Sequence, residues 1–162
     1  MAVAGIGVDI VEIERMRNIL ERTPRFKQRV FTVSEQAYCD SRPNPAASYA
    51  GCFAAREAVL KALGTGFSGM GFTDVSVDHD DRGRPVAVLA GHAQQIAQEQ
   101  GVLEVFLSIS HTRDIAVANA VASTAQTRVK REIRTDEKTA LAEQFKQARK
   151  LLDELDRKEE DA

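Results

Sequence analysis

Apolar positions change period several times along the chain, and each change marks an element. Val3 to Val11 is a short apolar run with Gly5, Gly7 and Asp9 at alternate positions. It predicts a first strand with Ile6, Val8 and Ile10 on its buried side and Asp9 on the face of the two glycines. Those glycines leave room for a close backbone or a ligand. Glu12 to Arg22 then reads as a helix with Ile13, Met16 and Leu20 as its buried stripe. Thr23-Pro24 predicts a cap and first position of a short second helix. Thr32-Val-Ser-Glu35 matches a capping box opening a third helix, to about Asp40.

After the Arg42-Pro-Asn-Pro45 loop comes the longest helical stretch, from about Ala47 to Leu63. Gly64 reads as its C-cap, and Gly66 keeps the next turn permissive. Glu57 and Lys61, four residues apart, project from one face, a spacing that also suits an ordinary exposed ion pair. Phe72 to Asp78 and Val86 to Leu89 alternate as strands around an Asp80-to-Pro85 turn. Ala90 to Gln100 is helical. Leu103 to Ser110 and Asp114 to Ala122 are strands, the first with Leu103, Val105, Leu107 and Ile109 on one face, joined at His111-Thr112-Arg113. Helices mixed with antiparallel strands make the fold class α+β, an antiparallel sheet packed with a long helix.

The pattern divides the chain into a domain over residues 1–122 and a charged helical extension over 123–162. Half of the forty extension residues are charged, ten of each sign, and none is Gly or Pro. Leu141, Phe145, Ala148, Leu152 and Leu155 form an a/d seam. Glu143–Gln147, Asp153–Arg157 and Glu154–Lys158 add i,i+4 support. Such a helix is marginal alone, so it is expected to pack on the domain or on a copy of itself.

With 162 residues, 43% of them hydrophobic, the chain can bury a core without disulfide or metal staples. Two cysteines, Cys39 and Cys52, make no disulfide framework and suit a reducing compartment. The apolar start lacks a basic n-region, and no apolar run reaches membrane-spanning length, so a cytoplasmic protein with no membrane partner is expected. The net charge of −2 gives no reason to expect nucleic acid. One window departs from that balance. Arg15, Arg17, Arg22, Arg25, Lys27 and Arg29 face a single acid, Glu21, a local charge of +5 that predicts an acidic partner.

Asp9 and Glu57 offer the hard oxygen donors that Mg2+ prefers. Lys61 adds a cation for phosphates, and Gly64-Thr65-Gly66 adds backbone N–H groups. His111 and Arg113 suit a further phosphate. These residues indicate a magnesium-dependent enzyme acting on a phosphorylated cofactor or substrate. A nucleotide phosphatase would use similar ligands, and an adaptor for acidic proteins would need only the basic helix.

Three motifs in order, G-I-G-V-D-I from Gly5, F-A-A-R-E-A-V-L-K-A-L-G-T-G from Phe53 and L-S-I-S-H-T from Leu107, resemble the holo-(acyl-carrier-protein) synthases, the short single-unit class of 4'-phosphopantetheinyl transferases. The resemblance spans about residues 3–122. It implies transfer of the 4'-phosphopantetheine arm of coenzyme A to a serine of an acidic apo acyl carrier protein, releasing adenosine 3',5'-bisphosphate. It implies a homotrimer with active sites between subunits. By the same resemblance Asp9 and Glu57 bind Mg2+, and Glu57 and Lys61 are catalytic. Lys61 and the Gly64, Thr65, Gly66 turn lie by the phosphates of coenzyme A. His111 lies near its 3'-phosphate and Gly83, Arg84 and Pro85 near its adenine. Arg15, Arg22 and Arg25 bind the carrier, and the resemblance leaves three kinds of carrier open: fatty-acid, polyketide, or a domain inside a larger synthase. One departure is Cys52, where the family commonly has an arginine. If that arginine holds a phosphate, the expected outcomes are compensation by Arg56 or Arg113, or a lower affinity for coenzyme A.

Overall fold

The computed structural model describes residues 5–125 and 139–150. The chain divides into two compact units, residues 1–128 and 129–162. In the first, the elements run β1 (Gly5–Glu12), α1 (Ile13–Arg22), α2 (Pro24–Val30), α3 (Val33–Asp40), α4 (Pro45–Leu63), β2 (Val75–His79), β3 (Pro85–Leu89), α5 (Gly91–Glu99), β4 (Val102–His111) and β5 (Ile115–Thr124). The strands form one antiparallel sheet in the order β1-β5-β4-β3-β2. The α+β expectation holds. No helix among the described residues is long and apolar enough to cross a membrane.

Helix α4 starts two residues earlier than its propensities suggest, because Asn44 caps it and Pro45 takes the first position. The Asn44 side chain accepts the Ala47 N–H at 3.3 Å. At the other end Gly64 adopts φ 72°, the left-handed cap conformation that glycine enters without steric cost. The Thr32–Glu35 capping box on α3 is present in both directions. Thr23 precedes α2 without a side-chain cap bond.

The sheet covers α4 with small residues. Ala116, Ala118, Ala120 and Ala122 of β5 face Ala54, Ala55, Ala58 and Ala62, all buried. On β1 the glycines complete that face. A Cβ on Gly5 would stand 1.7 Å from the Ala62 carbonyl oxygen, and one on Gly7 1.9 Å from that of Ala58. Strand and helix backbones therefore touch, as glycine at alternate positions allows.

This reverses the expected burial of β1. Its covered face carries Gly5, Gly7, Asp9 and Val11, whereas Ile6, Val8 and Ile10 are exposed, Ile6 by 73% and Ile10 by 60%. They belong to an apolar outer sheet face. Ile6 is paired with Val121 and Val121 with Phe106, which in turn opposes Val86. A register shift between Val102 and Glu104 turns Leu103 out of line with Val105, Leu107 and Ile109, leaving it exposed. Strand β2 begins at Val75, later than expected, with Phe72 in the preceding turn.

In the second unit, residues 139–150 form a helix with exposed side chains, Leu141 and Phe145 among them. Ala148 lies on it. Leu152, Leu155 and the pairs Asp153–Arg157 and Glu154–Lys158 lie outside the described residues.

Candidate active site

Two clefts, one beside each half of α4, hold several of the expected site residues. The first, about 420 Å³, is lined by Asp9, Glu57, Glu12 and Arg15 with apolar walls from Met16, Ile19, Phe26 and Phe53. The close approach of β1 to α4 brings Asp9 beside the helix face that carries Glu57 and Lys61. Lys61 does not make the i,i+4 pair its spacing allows. Its ammonium donates to Asp9 Oδ1 at 2.8 Å and to the Val8 carbonyl at 2.9 Å. The Asp9 contact raises the Lys61 pKa. The Gly64–Gly66 turn follows the helix directly, with Gly66 also at positive φ.

Partial burial, and then the Asp9 charge, push the Glu57 carboxyl above its ordinary range, against the opposing pull of Lys61 and Arg56. A carboxylate raised in this way contributes stability that is complete below the ordinary glutamate value and lost as pH rises through the folded value. Glu57→Gln is therefore expected to raise the melting temperature of the metal-free protein slightly at neutral pH, with the gain shrinking in mild acid. Thermal melts of both proteins across that range check this.

Among the described residues no group of three or more His, Cys, Asp and Glu side chains is placed to hold an ion. The two carboxylates nevertheless fit Mg2+, which usually takes only one or two protein carboxylates and completes its shell with water and substrate phosphates. The Asp9 charge, which adds to burial in raising Glu57, is what a cation between them would offset.

The second cleft, about 200 Å³, lies beside the N-terminal half of α4. Gly83, Pro85 and His111 line it, joined by Tyr38, Arg42, Ser48, Gly51, Cys52, His79 and Ile109. Three of the residues expected at the nucleotide end of coenzyme A thus meet in one place. The fourth, Arg84, is absent from that lining, and its guanidinium is paired with Asp80 at 2.8 Å. Arg113 is exposed and also outside the lining.

Arg56 cannot serve as the expected phosphate ligand. It is 1% exposed, its Nη2 lies 3.1 Å from Glu35 Oε2, and its Nε donates to the Val75 carbonyl at 2.7 Å. The capping glutamate of α3 is thereby a buried counter-ion, accepting the Thr32 and Val77 N–H groups as well. Cys52 is buried with its sulfur 3.8 Å from that of Cys39, and both are free thiols.

The basic window divides by partner. Arg17 is bound to Glu14 and Lys27 to Asp40. Arg15, Arg22 and Arg25 are exposed and form no ion pair among the described residues. Arg15 reaches the rim of the Asp9–Glu57 cleft, and Arg22 lines a shallow groove with it along α1. Arg25 edges an apolar hollow with Phe26, Arg29, Val30 and Phe72. Sequence periodicity missed Phe72 as a neighbour of Arg25, because Phe72 arrives from a turn far along the chain.

Residues 5–125 match the family described as the 4'-phosphopantetheinyl transferase superfamily. A holo-[acyl-carrier-protein] synthase of Alkaliphilus metalliredigens is 47% identical over 121 residues, covering 75% of this chain and 99% of that protein. The solved Helicobacter pylori holo-[acyl-carrier-protein] synthase in complex with coenzyme A is 30% identical, with a TM-score of 0.65 over 73% of this chain and 99% of that one. A Bacillus anthracis holo-(acyl-carrier-protein) synthase in complex with CoA (3',5'-ADP) is 34% identical, with a TM-score of 0.61 over 75% and 96%.

Proposed function

The chain belongs to the 4'-phosphopantetheinyl transferase superfamily, and on that premise we propose how its two clefts work. The protein is a holo-[acyl-carrier-protein] synthase. It transfers 4'-phosphopantetheine from coenzyme A to a serine of apo acyl carrier protein, as its named relatives and the coenzyme A complexes of similar structures support. The observation that carries the site assignment is that Asp9 and Glu57 line one cleft while Lys61 is bonded to Asp9.

The serine oxygen bonds to the phosphorus of the pantetheine phosphate while the bridging P–O bond breaks, releasing adenosine 3',5'-bisphosphate. Asp9 and Glu57 would hold Mg2+, which supplies neutralisation of phosphate charge. Lys61 sits on Asp9 in the free chain, on a stem flexible enough to turn to the phosphates. Glu57, with its raised pKa, is the carboxylate suited to accept the serine proton, although that task competes with tight metal ligation. Exposed Arg15, Arg22 and Arg25 bind the acidic carrier. We assign the protein to the cytoplasm, in keeping with its two free thiols, and to the supply of holo carrier for fatty-acid synthesis.

The assembly we infer is a homotrimer with shared sites. Two features support it: the nucleotide cleft and the Asp9–Glu57 cleft have separate linings, and the outer sheet face exposes Ile6, Val8, Ile10, Phe106 and Val121. An apolar patch of this kind marks an interaction surface. Phe106→Glu is expected to shift the assembly toward monomer and to lower activity with it. Light scattering and transfer assays on the same sample check both.

The functional test is intact mass spectrometry of apo carrier incubated with this protein, coenzyme A and Mg2+. Gain of one phosphopantetheine, abolished by chelation, supports the reading. No gain with several carriers, from folded protein, refutes it.

A further inference from the structure

Cys39 and Cys52 are the chain's two cysteines, and no step of the proposed transfer uses them. They belong to different helices, α3 and α4, yet their sulfurs lie 3.8 Å apart. The residues around Cys39 hold it there. Tyr38, on one side, stacks its ring on His79 of β2 at 3.7 Å with the planes 16° apart. Asp40, on the other, accepts from the Tyr49 hydroxyl of α4 at 2.9 Å. The end of α3 is thus tied to both β2 and α4, and the two thiols are kept as neighbours.

Buried thiols are ordinarily inert. Two features set this pair apart. Cys52 is 2% exposed but lines the cleft of about 200 Å³ beside α4, whereas Cys39 is fully buried and absent from that lining. A water-sized oxidant in the cleft therefore meets one sulfur and not the other. The second feature is Arg56, one turn further along α4. Its Nη1 has no hydrogen-bond partner among the described residues, and the Cys52 sulfur is close enough to act on the guanidinium charge. A thiolate at Cys52 has a buried cation at hand, the setting in which a cysteine becomes a nucleophile. The setting of Cys39 is the opposite. Its contact with Cys52, and then burial, push its thiol up.

We propose that Cys39 and Cys52 form an oxidation site for hydrogen peroxide, Cys52 attacking and Cys39 resolving, which closes a reversible disulfide between α3 and α4 and is shielded when coenzyme A fills the cleft. The Cys52 thiolate bonds to one peroxide oxygen as the O–O bond breaks, giving a sulfenic acid. The departing hydroxide takes the proton that Cys52 gave up and leaves as water. The Cys39 sulfur then bonds to the Cys52 sulfur as the S–O bond breaks, and hydroxide leaves with the Cys39 proton as a second water. Two thiols are oxidised to one disulfide, and peroxide is reduced to water. The shielding rests on the transferase reading; the thiol pair does not.

The test is intact mass spectrometry and peptide mapping of the folded full-length protein after exposure to hydrogen peroxide. The expected product has lost two hydrogens, carries a Cys39–Cys52 link and returns to the parent mass with dithiothreitol. In Cys39→Ser the reaction should stop at a sulfenic acid on Cys52, trapped by a 1,3-diketone. In Cys52→Ser the remaining thiol should stay reduced. Coenzyme A at about ten times its Kd should slow the loss by about tenfold, in proportion to the cleft left empty. No linked product in the parent, or a Cys39 that oxidises as readily in Cys52→Ser, would overturn the site. Coenzyme A that binds and gives no protection would overturn the route through the cleft. A folded parent that binds no coenzyme A would remove the transferase reading and the shielding with it, while the mass of the oxidised parent would still decide the thiol pair.

Discussion

Asp9→Asn is expected to slow phosphopantetheine transfer by about 10²- to 10³-fold, the loss usual when one preorganised electrostatic group is removed from a reacting centre. The substitution keeps the size of the side chain and removes its charge. It acts on two sides of the site together. One of the two carboxylates available to Mg2+ loses its anionic oxygen, and Lys61 loses its 2.8 Å partner. Carrier affinity should change little, because Arg15, Arg22 and Arg25 reside on α1 and α2 and form no ion pair with Asp9 among the described residues. The charge reversal Arg15→Glu with Arg22→Glu should give the converse, a raised apparent KM for the carrier with kcat less affected. Steady-state kinetics with both substrates varied separates the two. Unchanged turnover in Asp9→Asn would remove the carboxylate pair from the mechanism.

Arg56→Met is expected to cost about 3–5 kcal/mol of folding free energy, because it leaves a buried carboxylate without its counter-charge. Against a typical total of about 5–15 kcal/mol that is a large fraction. Glu35 keeps the Thr32 and Val77 N–H donors, but these were shared with a guanidinium and now face the charge alone. Arg56 Nη1 has no hydrogen-bond partner among the described residues, so the pair is not fully satisfied there even in the parent. For that reason the double variant Glu35→Gln, Arg56→Met should recover much of the loss. Denaturant unfolding of the four proteins closes the cycle. Below their melting temperatures both single variants should bind coenzyme A nearly as the parent does, since the guanidinium has no route to the surface.

What could be read from the chain, and what could not, follows the range of the interactions concerned. The Thr32–Glu35 box, the Gly64 cap and the long helix between them depend on neighbours a few residues apart, and all are present. The motif residues Asp9, Glu57 and Lys61 meet because glycines at alternate positions of β1 admit the α4 backbone, a consequence that spacing along one strand does suggest. The side of β1 that is covered was misjudged for a physical reason. Ile6, Val8 and Ile10 are the apolar residues, and within one chain burial goes instead to the face that lacks bulk. Arg56 was expected as a substitute phosphate ligand and is instead buried, because its counter-ion stands 21 positions away, on another helix. The Tyr38–His79 stack joins α3 to β2, and no local period encodes it.

The placement of β1 also bears on how quickly a working enzyme can arise. Its one neighbour in the sheet is β5, and Gly5 is registered with Ala122. The first strand made thus waits for the last, and closing so long a loop is slow compared with forming the helices between. During that interval α4 can exist while Asp9 still lacks its place. A chain caught there would carry Glu57 and Lys61 in helical order and yet be unable to assemble a cation site, so folding time and the onset of catalysis share one slow event.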